Sequence, residues 1–441
     1  MRAVSTLTGA TVCTGLFMAL SAPAGAAVDA KLLEMLRANG SISGAQYTEL
    51  SADLAKETQA KQQADAAQAQ AIADVKAKKD ELSSFEQKVA WASKTQIKGD
   101  LRLRYEDVRS QGNRLDNSRS ADRERVRARF GVYSQINPEV DGGIRLATGS
   151  SSDGRSTNQD LNADGTTAFA KKQLWVDQAY LDWHPNALPN LHLIGGKMAQ
   201  PWVSMGDIIW DGDLNPEGAA ATYKLAVGQG VELFGSTGYF NLKDNVDGEG
   251  YQYKHDLSMF SGQLGTRFDL GNALKVTLGG SVYAFKNDDN DPIGTGTLSR
   301  NGNTTNDFRL YEAFGQVDLK NLPIPLAFYG QYVNNQATDS DQDTGWLAGT
   351  KTKLGDWSLD YNYRDVQRNA VVGGFTDSDF ANGFTGSRGH KLKVGYEISK
   401  NFGLGVTYFL AETDSLPASS TQRAGNDLNV NTLQVDLEAK F

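Results

Sequence analysis

Between residues 96 and 441 the chain falls into sixteen segments of alternating apolar and polar residues, joined by connections that alternate long, short, long, short. The segments lie at about 96–108, 123–134, 140–148, 170–184, 190–199, 217–225, 231–240, 259–268, 274–285, 308–319, 325–334, 344–352, 357–366, 390–398, 402–411 and 428–441. A period of two marks a strand with one apolar and one polar face. The short connections are 135–139, 185–190, 226–230, 269–273, 320–324, 353–356 and 399–401, whereas long ones such as 241–258, 286–307 and 367–389 are rich in Asn, Asp, Gly and Ser. A soluble sandwich has no reason to sort its turns this way. A barrel crossing an outer membrane has short turns on one side, longer loops on the other and an even number of strands. The expected fold is an all-β transmembrane barrel of about sixteen antiparallel strands, with both barrel ends in the periplasm.

The final segment carries the pattern most strictly. In 432–441, Leu433, Val435, Leu437, Ala439 and Phe441 share one face, and Thr432, Gln434, Asp436, Glu438 and Lys440 the other. Ten tilted residues span a bilayer. Leu433, Val435, Leu437 and the closing Phe441 read as a membrane-insertion signal. Rings near strand ends (Tyr105, Trp183, Tyr239, Phe268, Phe285, Phe314, Tyr396, Phe409 and Phe441) are expected at headgroup depth.

Mean hydropathy is −0.45, and no stretch beyond the N-terminal region has eighteen consecutive apolar residues, which excludes a helical membrane protein but not a barrel. A net charge of −9 argues against a nucleic-acid partner. Residues 1–27 read as a signal peptide: Arg2, an apolar run over 4–20, and small residues for cleavage near Ala26 or Ala27. The single cysteine, Cys13, lies inside it, so the exported chain has no thiol chemistry.

Residues 28–95 are expected to be a periplasmic helical segment. A helix over 30–37 ends at Asn39-Gly40, and Ser43 caps a longer one. Ile72, Val75, Lys79, Leu82, Glu86 and Val89 recur at three-four spacing, a coiled-coil seam interrupted by polar residues; a single solvated helix or spacer is the alternative.

A sixteen-stranded barrel is too wide for side chains to fill, so function rests on what faces its lumen. With Ile97, Leu101, Leu103 and Tyr105 turned to lipid, Lys98, Asp100, Arg102, Arg104 and Glu106 face inward. The same argument turns Arg125, Arg127, Arg129 and Tyr133 inward from the second strand and Arg145 from the third, making a basic column. The loop 201–218 (PWVSMGDIIWDGDLNPEG) interleaves Asp207, Asp211, Asp213 and Glu217 with Trp202, Ile208, Ile209 and Trp210. So much apolar surface is out of place on an exposed loop. Folded into the barrel, it would set carboxylates against the arginines, producing a transverse field at a constriction. Calcium binding by Asp211 and Asp213 is a weaker alternative, because the ligand set is incomplete.

The chain resembles the bacterial outer-membrane "putative porin" family with an N-terminal periplasmic helical segment. The resemblance rests on the helical region, QIKGDLRLRY at 96–105, DRERVRARF at 122–130, AYLDW at 179–183, GKM at 196–198, WDGDLNPEG at 210–218, and Phe441. It implies a homotrimeric diffusion channel with a constriction loop, set among outer-membrane lipid and lipopolysaccharide of a Gram-negative bacterium by the barrel-assembly machinery. Ala439 departs from the aromatic frequent there. In layout the chain is also similar to dicarboxylate-type porins with a coiled coil and to phosphate-selective porins with arginine ladders. The expected function is passive diffusion of small hydrophilic solutes and ions. The alternatives are a phosphate- or dicarboxylate-selective anion channel, or a tether from the membrane to peptidoglycan through the helix. No cofactor, metal or enzyme activity is expected, since His184, His192, His255 and His390 stand beside no recognisable serine motif.

Overall fold

A computed structural model describes residues 30–111, 119–161, 168–244, 256–271, 273–286, 298, 301–337, 341–414 and 429–441. The segment read as a signal peptide and His255 lie outside these residues. Two bodies are present, divided between Val89 and Ala90.

The first contains helix α1 (Ala30–Ala38) and most of α2 (Gly44–Ser93). Gly40, at φ 71°, supplies the left-handed residue that ends α1. Ser43 and Gln46 form a reciprocal cap on α2: Ser43 Oγ accepts from Gln46 N at 3.3 Å, and Ser43 N donates to Gln46 Oε1 at 2.9 Å. Along α2, Ile72, Val75, Leu82, Phe85 and Val89 are exposed. No helix among the described residues is long and apolar enough to cross a membrane.

The second body is a closed antiparallel barrel of sixteen strands: β1 (Thr95–Gln111), β2 (Arg119–Asn137), β3 (Val140–Thr148), β4 (Leu174–Trp183), β5 (Leu191–Lys197), β6 (Glu217–Gly228), β7 (Val231–Lys243), β8 (Leu257–Asp269), β9 (Leu274–Lys286), β10 (Arg309–Leu319), β11 (Leu326–Asn335), β12 (Thr344–Leu354), β13 (Trp357–Val366), β14 (Ser387–Ser399), β15 (Phe402–Thr413) and β16 (Asn429–Lys440). Each pairs with its sequence neighbours, and β16 closes on β1 with Arg104 opposite Asp436 and Asp100 opposite Lys440. Closure removes the unpaired edge that no membrane-spanning sheet can tolerate. One long strand needs a patch. β2 runs well past the end of β3, and the two-residue strand Gln159–Asp160 folds back to pair with Val126 and Arg125.

All sixteen expected strands are present, with ends shifted by a few residues. The seam is fastened by the last residue: Phe441 N donates to Gly99 O, and Gly99 N to Phe441 O, both at 3.0 Å. Only glycine fits at position 99, because a Cβ there would sit 2.5 Å from the backbone oxygen of Arg129 as well as from the Phe441 ring. Outward residues such as Ile97 (59% exposed) and Leu264 (70%) form an apolar skin, as a bilayer-facing surface requires.

Three rings depart from the expected aromatic girdle. Phe314 and Phe409 are buried, and Phe285 packs with Phe308 and Phe375 on the lumen side. They sit on the inward period of their strands, where Phe409 meets Phe380 and Phe285 meets Phe375, both loop residues, while Phe314 lies over Gly279 of the neighbouring strand.

Candidate functional site

The inward face of β16, β1, β2 and β3 carries the basic column, and most of it is paired within the wall. Arg104 grips both oxygens of Asp436, at 2.7 and 2.9 Å, and reaches Asp379 at 2.9 Å. Arg127 donates to Asp100 at 2.8 Å and also pairs with Glu438. Arg129 shares Asp100 at 2.7 Å and meets Asp213 at 3.3 Å. Arg125 lies 2.8 Å from Asp160 and 3.4 Å from Glu106, and Arg145 lies 2.5 Å from Asp177. Lys98 sits over the Tyr133 ring, 5.7 Å from its centre. Arg102 differs: its Nη2 donates 2.6 Å to the neutral amide oxygen of Asn158. Charge-assisted fork contacts of this kind are the stronger class of hydrogen bond, so the column is a locked ionic lattice more than a row of free charges.

The loop after β5, residues 198–216, lies against the inner wall. Ile208 and Ile209 are 0% and 1% exposed and cluster with Phe240, Tyr283, Val333 and Leu347. Trp202 and Trp210 stand 4.8 Å apart, each edge-on to Tyr283. Gly206 permits the close approach, since a Cβ there would meet Gln331 at 2.9 Å and Leu347 at 3.0 Å. Asp207 reaches not the arginine column but a second basic pair, Arg364 at 2.7 Å and Lys391 at 2.6 Å. Asp213 accepts from Thr157 Oγ1 at 2.8 Å and faces Arg129. Among the described residues Asp211 has no cation within salt-bridge range, and it accepts from the backbone N–H groups of Asp213 and Ser378, both at 2.9 Å. Glu217 lies outside the loop: it is exposed, begins β6 and pairs with Lys197 at 2.6 Å.

A second loop, 367–386, was not singled out by sequence reasoning. It reads RNAVVGGFTDSDFANGFTG from position 368. Ala370, Val371 and Val372 are buried in the same cluster as Trp210, and Phe375 stacks on Trp210 at 5.4 Å. Backbone bonds lock the loops together: Asp211 N to Phe375 O at 2.6 Å, and Asp377 N to Asp207 O at 3.0 Å. Arg155, from a third loop, donates to Gly373 O at 2.9 Å and Gly383 O at 3.3 Å. The inward residues Arg364 and Lys391 were open to the same alternation argument, between Tyr363 and Asp365 and between His390 and Leu392.

The loop carboxylates divide into two kinds. Burial pushes Asp211 well up, and the neighbouring Asp377 adds to the effect. Burial likewise raises Asp377, with Asp207 adding to it. Burial opposes ionisation of Asp207 as well, yet Arg364 and Lys391 overcome it and hold the group well below the usual range. Asp379 is lowered in the same way, Arg104 and Gln434 outweighing burial.

A cavity of about 780 Å³ runs between these loops and the short-turn end, lined by as many acidic as basic side chains, among them Arg102, Arg104, Arg127, Lys391, Lys393, Asp213, Asp379 and Asp436. A second, of about 710 Å³, adjoins Trp202, Trp210, Phe375 and Arg155. Among the described residues no cluster of three or more His, Cys, Asp or Glu could hold a metal.

An apolar outer skin, a charged interior and loops folded into the lumen define an outer-membrane channel of the porin class. Residues 111–316 and 332–441 match the family described as "Putative porin"; the chain belongs to that family, and is a Gram-negative outer-membrane channel and not an enzyme. A stretch of 36 residues is 69% identical to Phosphate starvation-inducible protein 1 of Pseudomonas fluorescens, covering 8% of this chain and 92% of that protein. Similar solved structures include a mutant porin of Rhodopseudomonas blastica, 12% identical with a TM-score of 0.43 over 79% of this chain and 100% of that one. Another is Salmonella typhi OmpF in complex with daunomycin, 14% identical with a TM-score of 0.45 over 79% of this chain and 97% of that one.

Proposed function

We propose that the protein is a weakly selective diffusion channel for small hydrophilic solutes and ions, narrowed by the loops at 198–216 and 367–386. The carrying observation is the arrangement of those loops. Their apolar sides are buried on the wall, while Asp207, Asp213 and Asp379 engage basic groups on three different parts of it. Opposed charges in a narrow aqueous passage orient polar solutes, and radius with charge placement sets what passes. The balance of acids and bases around the larger cavity favours weak selectivity over a strong preference for either sign.

A phosphate- or carboxylate-selective anion channel is the second reading, favoured by Arg102, which among the described residues pairs with no carboxylate, and by the name of the starvation-inducible relative. The exposed apolar residues of α2 support a periplasmic coiled coil between copies in a homotrimer. Contact of that helix with peptidoglycan, and insertion by the barrel-assembly machinery through Leu433, Val435, Leu437 and Phe441, belong to the same proposal. The test is the reversal potential of the purified protein in planar bilayers under a KCl gradient. A small potential of either sign supports the weakly selective channel, a strongly anionic one the second reading, and absence of conductance rejects both.

A further inference from the structure

Among the described residues, Arg102 is the one arginine of the basic column with no carboxylate within salt-bridge range. In register, Arg102 stands between Arg127 on β2 and Glu438 on β16. Glu438 is taken by Arg127, Asp100 by Arg127 and Arg129, and Asp436 by Arg104. Among the described residues Arg102 keeps only the Asn158 amide oxygen, and its Nε is buried without an acceptor. A guanidinium is a planar fork of five N–H donors shaped for an oxyanion, and its charge cannot be titrated away. The cavity beside it has room. The row that begins with Arg104 and Asp436 continues through Gly405, Gly395 and Ser358, positions with little or no side chain to fill the space. Lys393 lines the same cavity and, among the described residues, has no carboxylate within salt-bridge range.

We infer that this cavity holds a binding station for a small oxyanion of phosphate or carboxylate type, centred on the Arg102 guanidinium. The station rests on the diffusion-channel reading above. An incoming oxyanion gives the Arg102 guanidinium an anionic partner without displacing any ion pair of the wall. The lattice around Arg102 therefore has a role: by consuming every nearby carboxylate, it leaves one guanidinium free for a passing ligand.

The experiment is chloride current through the whole protein in planar bilayers at pH 7, with inorganic phosphate or succinate added. The wild-type current should fall saturably with at least one of them. Block by phosphate alone assigns a phosphate-type station, and block by both a station for either class. Arg102→Gln should raise the half-blocking concentration about tenfold or more, as expected for loss of a bidentate charge-assisted contact. Arg102→Lys, which keeps the charge without the fork, should fall between, and it serves if the glutamine variant fails to assemble. Arg388→Gln, at a surface pair with Glu412, should block like wild type. Equal block in wild type and both Arg102 variants, or no block of a conducting wild type, overturns the station while the channel stands. A wild type that does not conduct overturns the channel reading, and the station with it.

Discussion

The two lumen loops use the same chemistry and differ in what they rest on. The loop at 198–216 is anchored directly to the barrel: Ile208, Ile209 and Trp202 press on Phe240, Tyr283 and Leu347, and Val203 exchanges two hydrogen bonds with Gln263, each 2.8 Å. The loop at 367–386 leans partly on the first, through the Trp210–Phe375 stack and the backbone bonds at Asp211 and Asp377. The difference implies a hierarchy. The first loop can stay docked alone, whereas the second, which also holds the wall through Asp379 on Arg104, Asp377 on Arg364 and Phe380 on Phe409, loses part of its footing without the first.

Deleting 207–213 should therefore have the largest effect, freeing the first loop, loosening the second and raising single-channel conductance by about twofold or more, since conductance follows pore radius. Deleting 370–376 should raise it less, because the first loop keeps its own anchors. Equal effects would dissolve the hierarchy, and a fall or no change in the first deletion would count against narrowing by loops at all.

Point substitutions sharpen the same comparison. Trp210→Ala removes a buried ring from the junction, and losing a buried Trp costs about 3–5 kcal/mol; Phe375→Ala, partly buried, should cost less. Limited proteolysis of folded protein in detergent reads this out. Trp210→Ala should expose both loops to cleavage, and Phe375→Ala chiefly the second. The reverse pattern would mean that the second loop carries the first.

What could be read from the sequence follows from how local each signal is. Strand alternation is written in neighbouring residues, so β1 to β16 were legible to within a few positions. The first loop was legible because Trp202, Ile208, Ile209 and Trp210 form a dense apolar group. The second was masked by its Asn, Gly and Ser, although Ala370-Val371-Val372 carried the same signal more faintly. Ion pairing was not legible. Arg104 and Asp436 lie 332 positions apart and meet only through the closing register of β1 and β16. The basic column was readable, and its neutralisation was not. Phe285 and Phe409 misled for a related reason: each inward ring is a landing site for a loop, which the alternation pattern cannot distinguish from a membrane girdle.

Charge reversal tests the lattice against the loops. Arg104→Glu would place a third carboxylate between Asp436 and Asp379, and Arg127→Glu one beside Asp100 and Glu438. Both should move the permeability ratio toward cations, by a factor of roughly 3–10 for a charge in a narrow, field-focusing passage. The shift should be larger at Arg104, which also ties the second loop through Asp379. Unchanged reversal potentials in both variants, with folded barrels, would mean that neither residue faces the conducting path.

The smallest expected effect is with pH, and its sign follows from the two kinds of loop carboxylate. Asp211 and Asp377 are raised above the ordinary carboxylate value of about 4. They bind protons more readily in the folded loops than in released ones, so docking weakens as pH rises from that value through their own. Asp207 and Asp379 are lowered. Their contribution to docking is complete above about 4 and is lost only as pH falls through their depressed values. On acidification from alkaline pH, the first event should be neutralisation of Asp211 and Asp377 with both loops still in place. The reversal potential should then shift toward anions, with a midpoint above about 4, before any rise in conductance signals loop release. In the double variant Asp211→Asn with Asp377→Asn the early shift should vanish while the later rise remains. A single transition in which selectivity and conductance change together would show that the carboxylates act as one coupled group, and that the loops come away from the wall as a unit.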